Sequence, residues 1–392
     1  RTKANTAILG VAFVWFTTHF GGGFASGAQI YSYFVRYGAW CLLMPVLAML
    51  YNTVFFAYSL RFARKRETYD YRTYNNAFYG RFAPVFSNLF EVLYVCVMCV
   101  APAVAFATGG ATLRELTGLP YLLCTVLIGL FIFVVAIFGT DLVRRVAVVL
   151  SVCIIAGLVV VYVPNIVSNF SAITEAVNTM NAARLPLRDA LYSAFLYGTF
   201  QLSNIAVFVQ HARSFDEPAD AVKSMGVGFV INSLLMVMVV LGLMTVYTDP
   251  EAAGQSVPTL FMVEQGVGAS FMTPLISVLI ILGAVSTAVN MVAAMVKRIC
   301  GETRQAAAEA KQSGFRTTKK EIAAALGCCA VDFGIAQFGL LTLIQKAYSG
   351  IAYLVIPVIL VPYLIHMAVT RFDTKQVFGH FLEPVECDIE TT

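Results

Sequence analysis

Charge is what this sequence has least of: 26 Lys and Arg and 22 Asp and Glu in 392 residues, 12% in all. Soluble domains carry about 25% charged residues, so this chain has too few to cover a water-facing surface. A soluble enzyme, a nucleic-acid-binding domain and a disordered scaffold are excluded on that ground. Histidine is scarce as well. His19, His211, His366 and His380 are dispersed, and no paired carboxylates, Ser/Lys pair or His-rich metal motif falls at matching depth. An intramembrane enzyme therefore lacks its chemistry, and a channel lacks a repeated filter. The nine cysteines are scattered along apolar stretches, without metal-ligand or secreted-disulfide spacing. Cys96 with Cys99, and the adjacent Cys328 and Cys329, read as small residues in helix interfaces.

What is present is apolar length. Hydrophobic residues make up 59% of the chain, and a helix crossing a ~30 Å hydrocarbon core needs ~20 of them. Ten apolar spans lie between polar breaks, at 5–37, 39–63, 84–112, 120–139, 142–164, 187–213, 219–248, 270–298, 320–338 and 341–370. Asp332 and several glycines interrupt the ninth. The first span begins behind Arg1 and Lys3 as a signal peptide does, but it continues without a cleavage site and is read as a retained helix. The expected class is an all-α polytopic membrane protein with ten transmembrane helices in a single transporter domain.

The basic residues set its direction. With a cytoplasmic N-terminus, 21 of the 26 Lys and Arg fall inside and 5 outside (Arg36, Arg114, Arg184, Arg188 and Lys346). Six of the inner ones lie between Arg61 and Arg81 and seven between Lys297 and Lys320, where contact with anionic lipid headgroups is expected. Both termini are thus expected in the cytoplasm. The placement expected is multi-pass in a plasma membrane, the bacterial inner membrane. Ten spans divide into five and five, and five is odd, so the halves face opposite ways. If they are repeats, one at 5–164 and one at 187–370 with a tail at 371–392, they are inverted repeats, an architecture of secondary transporters.

That architecture calls for matching anomalies in spans 1 and 6. Span 1 has Gly21, Gly22 and Gly23 at mid-depth, followed by Phe24, Ala25, Ser26 and Gly27. Glycine costs ~1 kcal/mol per residue against alanine in a helix, so three together predict local unwinding. Lipid cannot satisfy the freed groups, and the break must face a cavity or a ligand. Helix packing by small residues is the plainer alternative. Span 6 is polar at its centre, Gly198-Thr199-Phe200-Gln201-Leu202-Ser203-Asn204. The half-helix starting near Gly23–Ser26 offers N–H groups to an anionic group. The half-helices ending near Thr17–Phe20 and Tyr197–Thr199 offer carbonyls to an ammonium group or Na⁺. Both ends together suit a zwitterion. Gln201, Ser203 and Asn204 are polar candidates in the second break; Phe195 and Phe200 bracket it, and His19 sits two residues before the triple glycine.

In span 8, Gly283, Ser286 and Thr287 stand at i, i+3 and i+4 and share one face. With carbonyls near Thr17 and Phe20 they supply neutral oxygens for Na⁺, while back-bonding of the hydroxyls within the helix is an equal reading. Only Glu91, Asp332 and Lys346 are charges clearly inside spans, and structural pairing or gating is expected of them. The acidic outer segment Asp249–Gly268 is a candidate lid.

The segment G21-GGFASGAQI30 resembles the G-A-G-F-A-S-G-Q-E-type signature of the YkvI-type membrane proteins. These belong to the amino acid–polyamine–organocation (APC) superfamily, with the LeuT-like 5+5 inverted-repeat fold and broken helices 1 and 6. The resemblance implies Thr17, Phe20, Gly283, Ser286 and Thr287 as a shared cation site for Na⁺. It also implies Tyr94 of span 3 beside the substrate, and a bundle of spans 1, 2, 6 and 7 moving against the remainder. Proton-coupled members often carry a lysine in span 5, and span 5 here has none. The function expected is Na⁺-coupled symport of an amino acid or similar small zwitterion or carboxylate, with no organic cofactor. Its substrate residues are Gly21, Gly22, Gly23, Phe24, Ala25, Ser26, Tyr94, Tyr197, Gly198, Phe200, Gln201 and Asn204. A proton-coupled carrier or exchanger of small amines or organic acids is the alternative.

Overall fold

A computed structural model describes residues 2–138, 140–300 and 318–374, with side chains for all of these except 2–4, 140–148 and 297. Most of the basic stretch 301–320, and the tail beyond 374, lie outside the described residues. Every regular element among the described residues is helical. Inside a membrane that follows from the backbone, because a lipid-exposed N–H or C=O has no other partner than its own helix.

In chain order the helices are α1 (Thr2–His19), α2 (Gly22–Ala25), α3 (Ala28–Tyr33), α4 (Met44–Lys65), α5 (Tyr71–Tyr79), α6 (Ala83–Thr117), α7 (Tyr121–Phe138), α8 (Thr140–Ser168) and α9 (Phe170–Ala183). After these come α10 (Leu187–Gln201), α11 (Ile205–Phe208), α12 (Pro218–Met244), α13 (Pro258–Glu264), α14 (Ala269–Cys300), α15 (Lys319–Ala336) and α16 (Leu340–Val369), the last with two π-turns at Leu343–Ala347 and Ile356–Leu360. Local chemistry sets several boundaries. Glu217 and Asp220 form a capping box at the start of α12, Thr318 and Glu321 another at the start of α15, and Gly118 ends α6 in the left-handed region.

Seven helices are long and apolar enough to cross a membrane: α4, α6 together with α5, α7, Val149–Ser168 of α8, α12, α14 and α16. They correspond to predicted spans 2, 3, 4, 5, 7, 8 and 10. The other three predicted spans are helical but do not reach that length and hydropathy, each for a visible reason. Span 6 is divided into short pieces, α1 has 18 residues but carries Lys3, Asn5, His19 and four threonines among them, and α15 carries Lys319, Lys320, Glu321 and Asp332 within 18 residues. Three shorter helices, α5, α9 and α13, form in stretches that the apolar pattern leaves as connections.

The helices pack as two groups. One joins α1, α4, α10 and α12; the other joins α6, α7, α14 and α15. The chain passes from α1, packed on α12 in the first group, to the short helix α2, packed on α6 and α14 of the second. Span 1 is thus positioned between two bodies, and its break falls at their junction.

A candidate functional site: the cavity beside the break in span 1

Helix α1 stops at His19. Phe20 still bonds back to the Phe16 carbonyl (2.8 Å), but Gly21 donates its N–H to the His19 carbonyl (2.8 Å), two residues back instead of four. That tight turn takes from the Thr17 carbonyl the donor a continuous helix would have supplied. The unwinding predicted from the triple glycine is therefore present, and it begins one residue earlier, at Phe20. The chain then makes one turn, α2, and breaks again at Gly27, whose φ of 77° lies in the left-handed region. Gly22 is needed for close approach: a Cβ there would lie 2.6 Å from Thr108 Oγ1 and 3.2 Å from Ala105 Cα, both of α6. Ser26 is committed to this local turn, donating to the Gly23 carbonyl (3.1 Å) and accepting from the Ala28 N–H (3.2 Å). Gly22, Gly23, Phe24, Ala25 and Ser26 are all buried, and Phe24 packs on Phe20 and His19.

Beside this break is a cavity of about 340 Å³ between α1, α8, α11 and α14. Thr17, Phe20, Gly283, Ser286 and Thr287 all line it, together with Gly10, Thr18, Ser151 and Asn290. Two clusters of residues more than 260 positions apart in sequence are thus brought to one space. Among the described residues, no charged side chain lines it. Two features of the hydroxyls qualify their role. Thr287 donates back to the Gly283 carbonyl (3.1 Å) and Thr17 to the Val14 carbonyl (3.1 Å), so each donates inward and keeps its lone pairs free to face the cavity. The lining runs from Phe20 down to Gly10, about 15 Å at ~1.5 Å per residue, toward the end of the bundle that carries the basic loops.

The opposite end is covered. In the outer segment, Thr259 at the start of α13 donates its N–H to the Ser26 carbonyl (3.0 Å), and its hydroxyl bonds Tyr162 of α8 (2.7 Å). Asn165 of the same helix accepts from the Val267 N–H (3.1 Å). The acidic outer segment predicted as a lid thus rests directly on the break.

Span 6 departs from expectation. Its backbone stays right-handed throughout, and α10 passes through a 3₁₀ turn at Leu202–Asn204 instead of unwinding. The cause is the polar sequence itself, whose groups satisfy one another: Asn204 donates to Gln201 Oε1 (2.8 Å) and Ser203 to the Phe200 carbonyl (2.8 Å). The tightening still has a consequence. Leu202 donates to the Thr199 carbonyl three residues back, and Gly198 O instead accepts from Asn52 of α4 (2.7 Å). Phe200 stacks on Tyr348 at 4.1 Å, Tyr197 is fully buried, and Phe195 stays partly exposed near Tyr51.

Tyr94 is not at the break. It packs on Tyr71 of α5 (5.2 Å between rings), whereas α6 approaches the break at Ala105 and Thr108. Fourteen residues of helix, about 21 Å, separate Tyr94 from Thr108. Glu91 is paired, with Arg298, Tyr71 and Arg72, as expected of a structural charge. Lys346 is exposed, and Asp332 is buried with Oδ2 lacking a partner. The His19 ring is held by side chains, Asn232 and Tyr197. Asn52, Thr108, Asn232 and Thr259 were missed. The available signal was a lone amide inside an apolar span, at Asn52 and Asn232.

No family model matches the sequence, and no curated protein matches it either. Among solved structures, the chain is similar to a Na⁺-coupled sialic acid symporter in a substrate-bound outward-open state (14% identity over 92% of this chain and 87% of that one, TM-score 0.47). It is also similar to the manganese transporter of Eremococcus coleocola in complex with an aromatic bis-isothiourea substituted compound (14% identity, 93% and 95% covered, TM-score 0.48). A point mutant of that transporter gives 15% identity, 94% and 96% covered, and a TM-score of 0.42. Likenesses of this strength leave both fold and activity to be argued from the chain's own residues.

Proposed function

We propose that this chain is a secondary active transporter, a Na⁺-coupled symporter of an amino acid or similar small zwitterion or carboxylate. The observation that carries the reading is the cavity that gathers Thr17, Phe20, Gly283, Ser286 and Thr287 beside an unwound helix. Its donors are hydroxyls and a carbonyl released from the helical ladder, and a set of neutral oxygens suits a monovalent cation. Hard divalent cations take carboxylates in addition, and among the described residues none lines this space. The substrate then binds at the Gly21–Ser26 break. The first turn of α2 directs N–H groups there that have no intrahelical acceptor, which favours a carboxylate.

On this reading the ten predicted spans form two inverted repeats of five, as in the YkvI-type APC proteins, in a bacterial inner membrane with both termini cytoplasmic. The two packed groups are the bodies that rock. The cavity running toward the basic end, with α13 seated on Ser26 at the other, corresponds to an inward-facing arrangement. One feature favours the alternative of proton coupling: Asp332 is a buried intramembrane carboxylate with an unpartnered oxygen.

A thermal-shift screen of the purified protein against amino acids, small organic acids and amines separates the two. A ligand that binds the native state raises its melting temperature. We expect at least one amino acid or carboxylate to do so more strongly in sodium than in choline. Ligand shifts indifferent to sodium but dependent on pH select the proton-coupled carrier; an absence of any shift across the panel contradicts both.

A further inference from the structure

Three buried side chains next to the break are hydrogen-bonded to one another in a chain that the cavity itself does not require. His19, the last residue of α1, places Nδ1 2.8 Å from Asn232 Oδ1 of α12, and Nε2 bonds the hydroxyl of Tyr197 of α10. All three are at most 3% exposed. Asn232 Nδ2 donates to the Gly228 carbonyl (2.8 Å), which leaves its Oδ1 as the acceptor. Within this network His19 therefore donates from Nδ1 and accepts the Tyr197 hydroxyl at Nε2. The His19 ring also packs against Phe24, with centroids 5.0 Å apart.

The backbone of the same residue makes the turn that opens the cation cavity. It is the His19 carbonyl that takes the Gly21 N–H and so releases the Thr17 carbonyl. A helix end that has lost its ladder is ordinarily the part that frays. Here the residue at the fray is anchored by its ring to two other helices of its packed group. Tyr197 immediately precedes Gly198, whose carbonyl is held by Asn52, so the anchor also reaches the 3₁₀ region of span 6.

We propose that His19 is a positioning residue for the coupling cation. Clamped between Asn232 and Tyr197, it holds the turn at Phe20 in the form that presents the Thr17 carbonyl, and it ties cation occupancy to span 6. It does not touch the ion. The proposal rests on the sodium reading of the cavity. Its consequence is that apolar substitutions at Tyr197 or Asn232, neither of which lines the cavity, weaken sodium binding from a distance.

The test is equilibrium binding of radioactive sodium to the purified protein, without substrate, for the wild type, Tyr197→Phe, Asn232→Leu, His19→Gln, His19→Phe and the double variant Ser286→Ala with Thr287→Ala. Loss of one buried hydrogen bond corresponds to roughly a five- to tenfold change in an equilibrium. Tyr197→Phe and Asn232→Leu should each raise the half-saturating sodium concentration by about that factor, with the number of sites per protein unchanged. A purely structural defect lowers the number of sites and leaves the affinity of the rest alone. His19→Gln, which keeps a polar end able to bond one partner, should shift it less than His19→Phe. If the Ser286/Thr287 double variant loses sodium binding while Tyr197→Phe and Asn232→Leu keep wild-type half-saturation, the positioning role is overturned and the cavity reading stands. If the wild type binds no sodium, the cavity reading falls and takes this role with it.

Discussion

A single missing methyl group decides the geometry at the break. Gly22 sits so close to α6 that a side chain there meets both the Thr108 hydroxyl and the Ala105 backbone, and backbone cannot swing aside. Gly22→Ala should therefore destabilise the protein by about 1–3 kcal/mol and depress its ligand-induced thermal shift. Gly226→Ala on α12, where nothing lies within 4 Å of the added carbon, provides the comparison. It should be neutral or stabilising by up to ~1 kcal/mol, as alanine is the better helix former. Equal melting temperatures for the two variants would contradict the packing described for the break. At this scale the sequence was informative where a residue type has one physical use. Three glycines at mid-membrane have few readings, and the hydroxyl spacing in span 8 put two oxygens on one face. Tyr94 had no such constraint among so many aromatics, and its partner Tyr71 lies on a helix the apolar pattern did not reveal.

Among the elements, the ends of α4 and α16 are joined outside the apolar spans by a latch. Arg66 makes two hydrogen bonds to Asp373 (2.6 and 2.9 Å), Lys65 adds an ion pair at 3.3 Å, and the Arg66 guanidinium lies over the Phe62 ring. Arg371, Phe372 and Asp373 all adopt positive φ to bring the carboxylate there, a backbone conformation costing non-glycine residues ~1–2 kcal/mol each. Burial pushes the Asp373 carboxyl upward, but Arg66 and Lys65 outweigh it and hold it below the usual carboxylate range. A carboxylate lowered in this way stabilises the fold fully above its unfolded value of ~3.9 and loses that contribution as pH falls through its folded value. Asp373→Asn should thus cost about 1.5–3 kcal/mol at neutral pH. Its deficit in thermal unfolding should hold steady from pH 8 to about 5 and close in stronger acid. A deficit that grows as the pH falls would contradict the latch. The difference between spans 1 and 6 belongs to this scale as well. Three glycines predicted the break in span 1 and a polar centre the one in span 6, yet the side chains of span 6 bond to their own turn and keep it helical. Glycine in span 1 offers no such substitute.

Across the whole molecule, what was legible was the number and placement of apolar segments. Seven of the ten are helices of membrane length, and the others fall short where polar residues, a tight turn or charge interrupt them. The grouping of helices left little trace in composition, because packing between apolar faces does not mark it. It was the resemblance that singled out spans 1, 2, 6 and 7, and these are α1, α4, α10 and α12, which pack together. The contact between the outer segment and Ser26 was not legible, as it joins two backbones and depends on no residue type. On the proposed reading, these two features give the cavity access on one side while α13 covers the other. The direct measurement is uptake into proteoliposomes of the ligand that gives the largest thermal shift, with and without an inward sodium gradient. Accumulation driven by the sodium gradient, lost when Ser286→Ala is combined with Thr287→Ala, is the expected result. Uptake that proceeds unchanged in the absence of sodium, or that survives the double substitution with its sodium dependence intact, would contradict it.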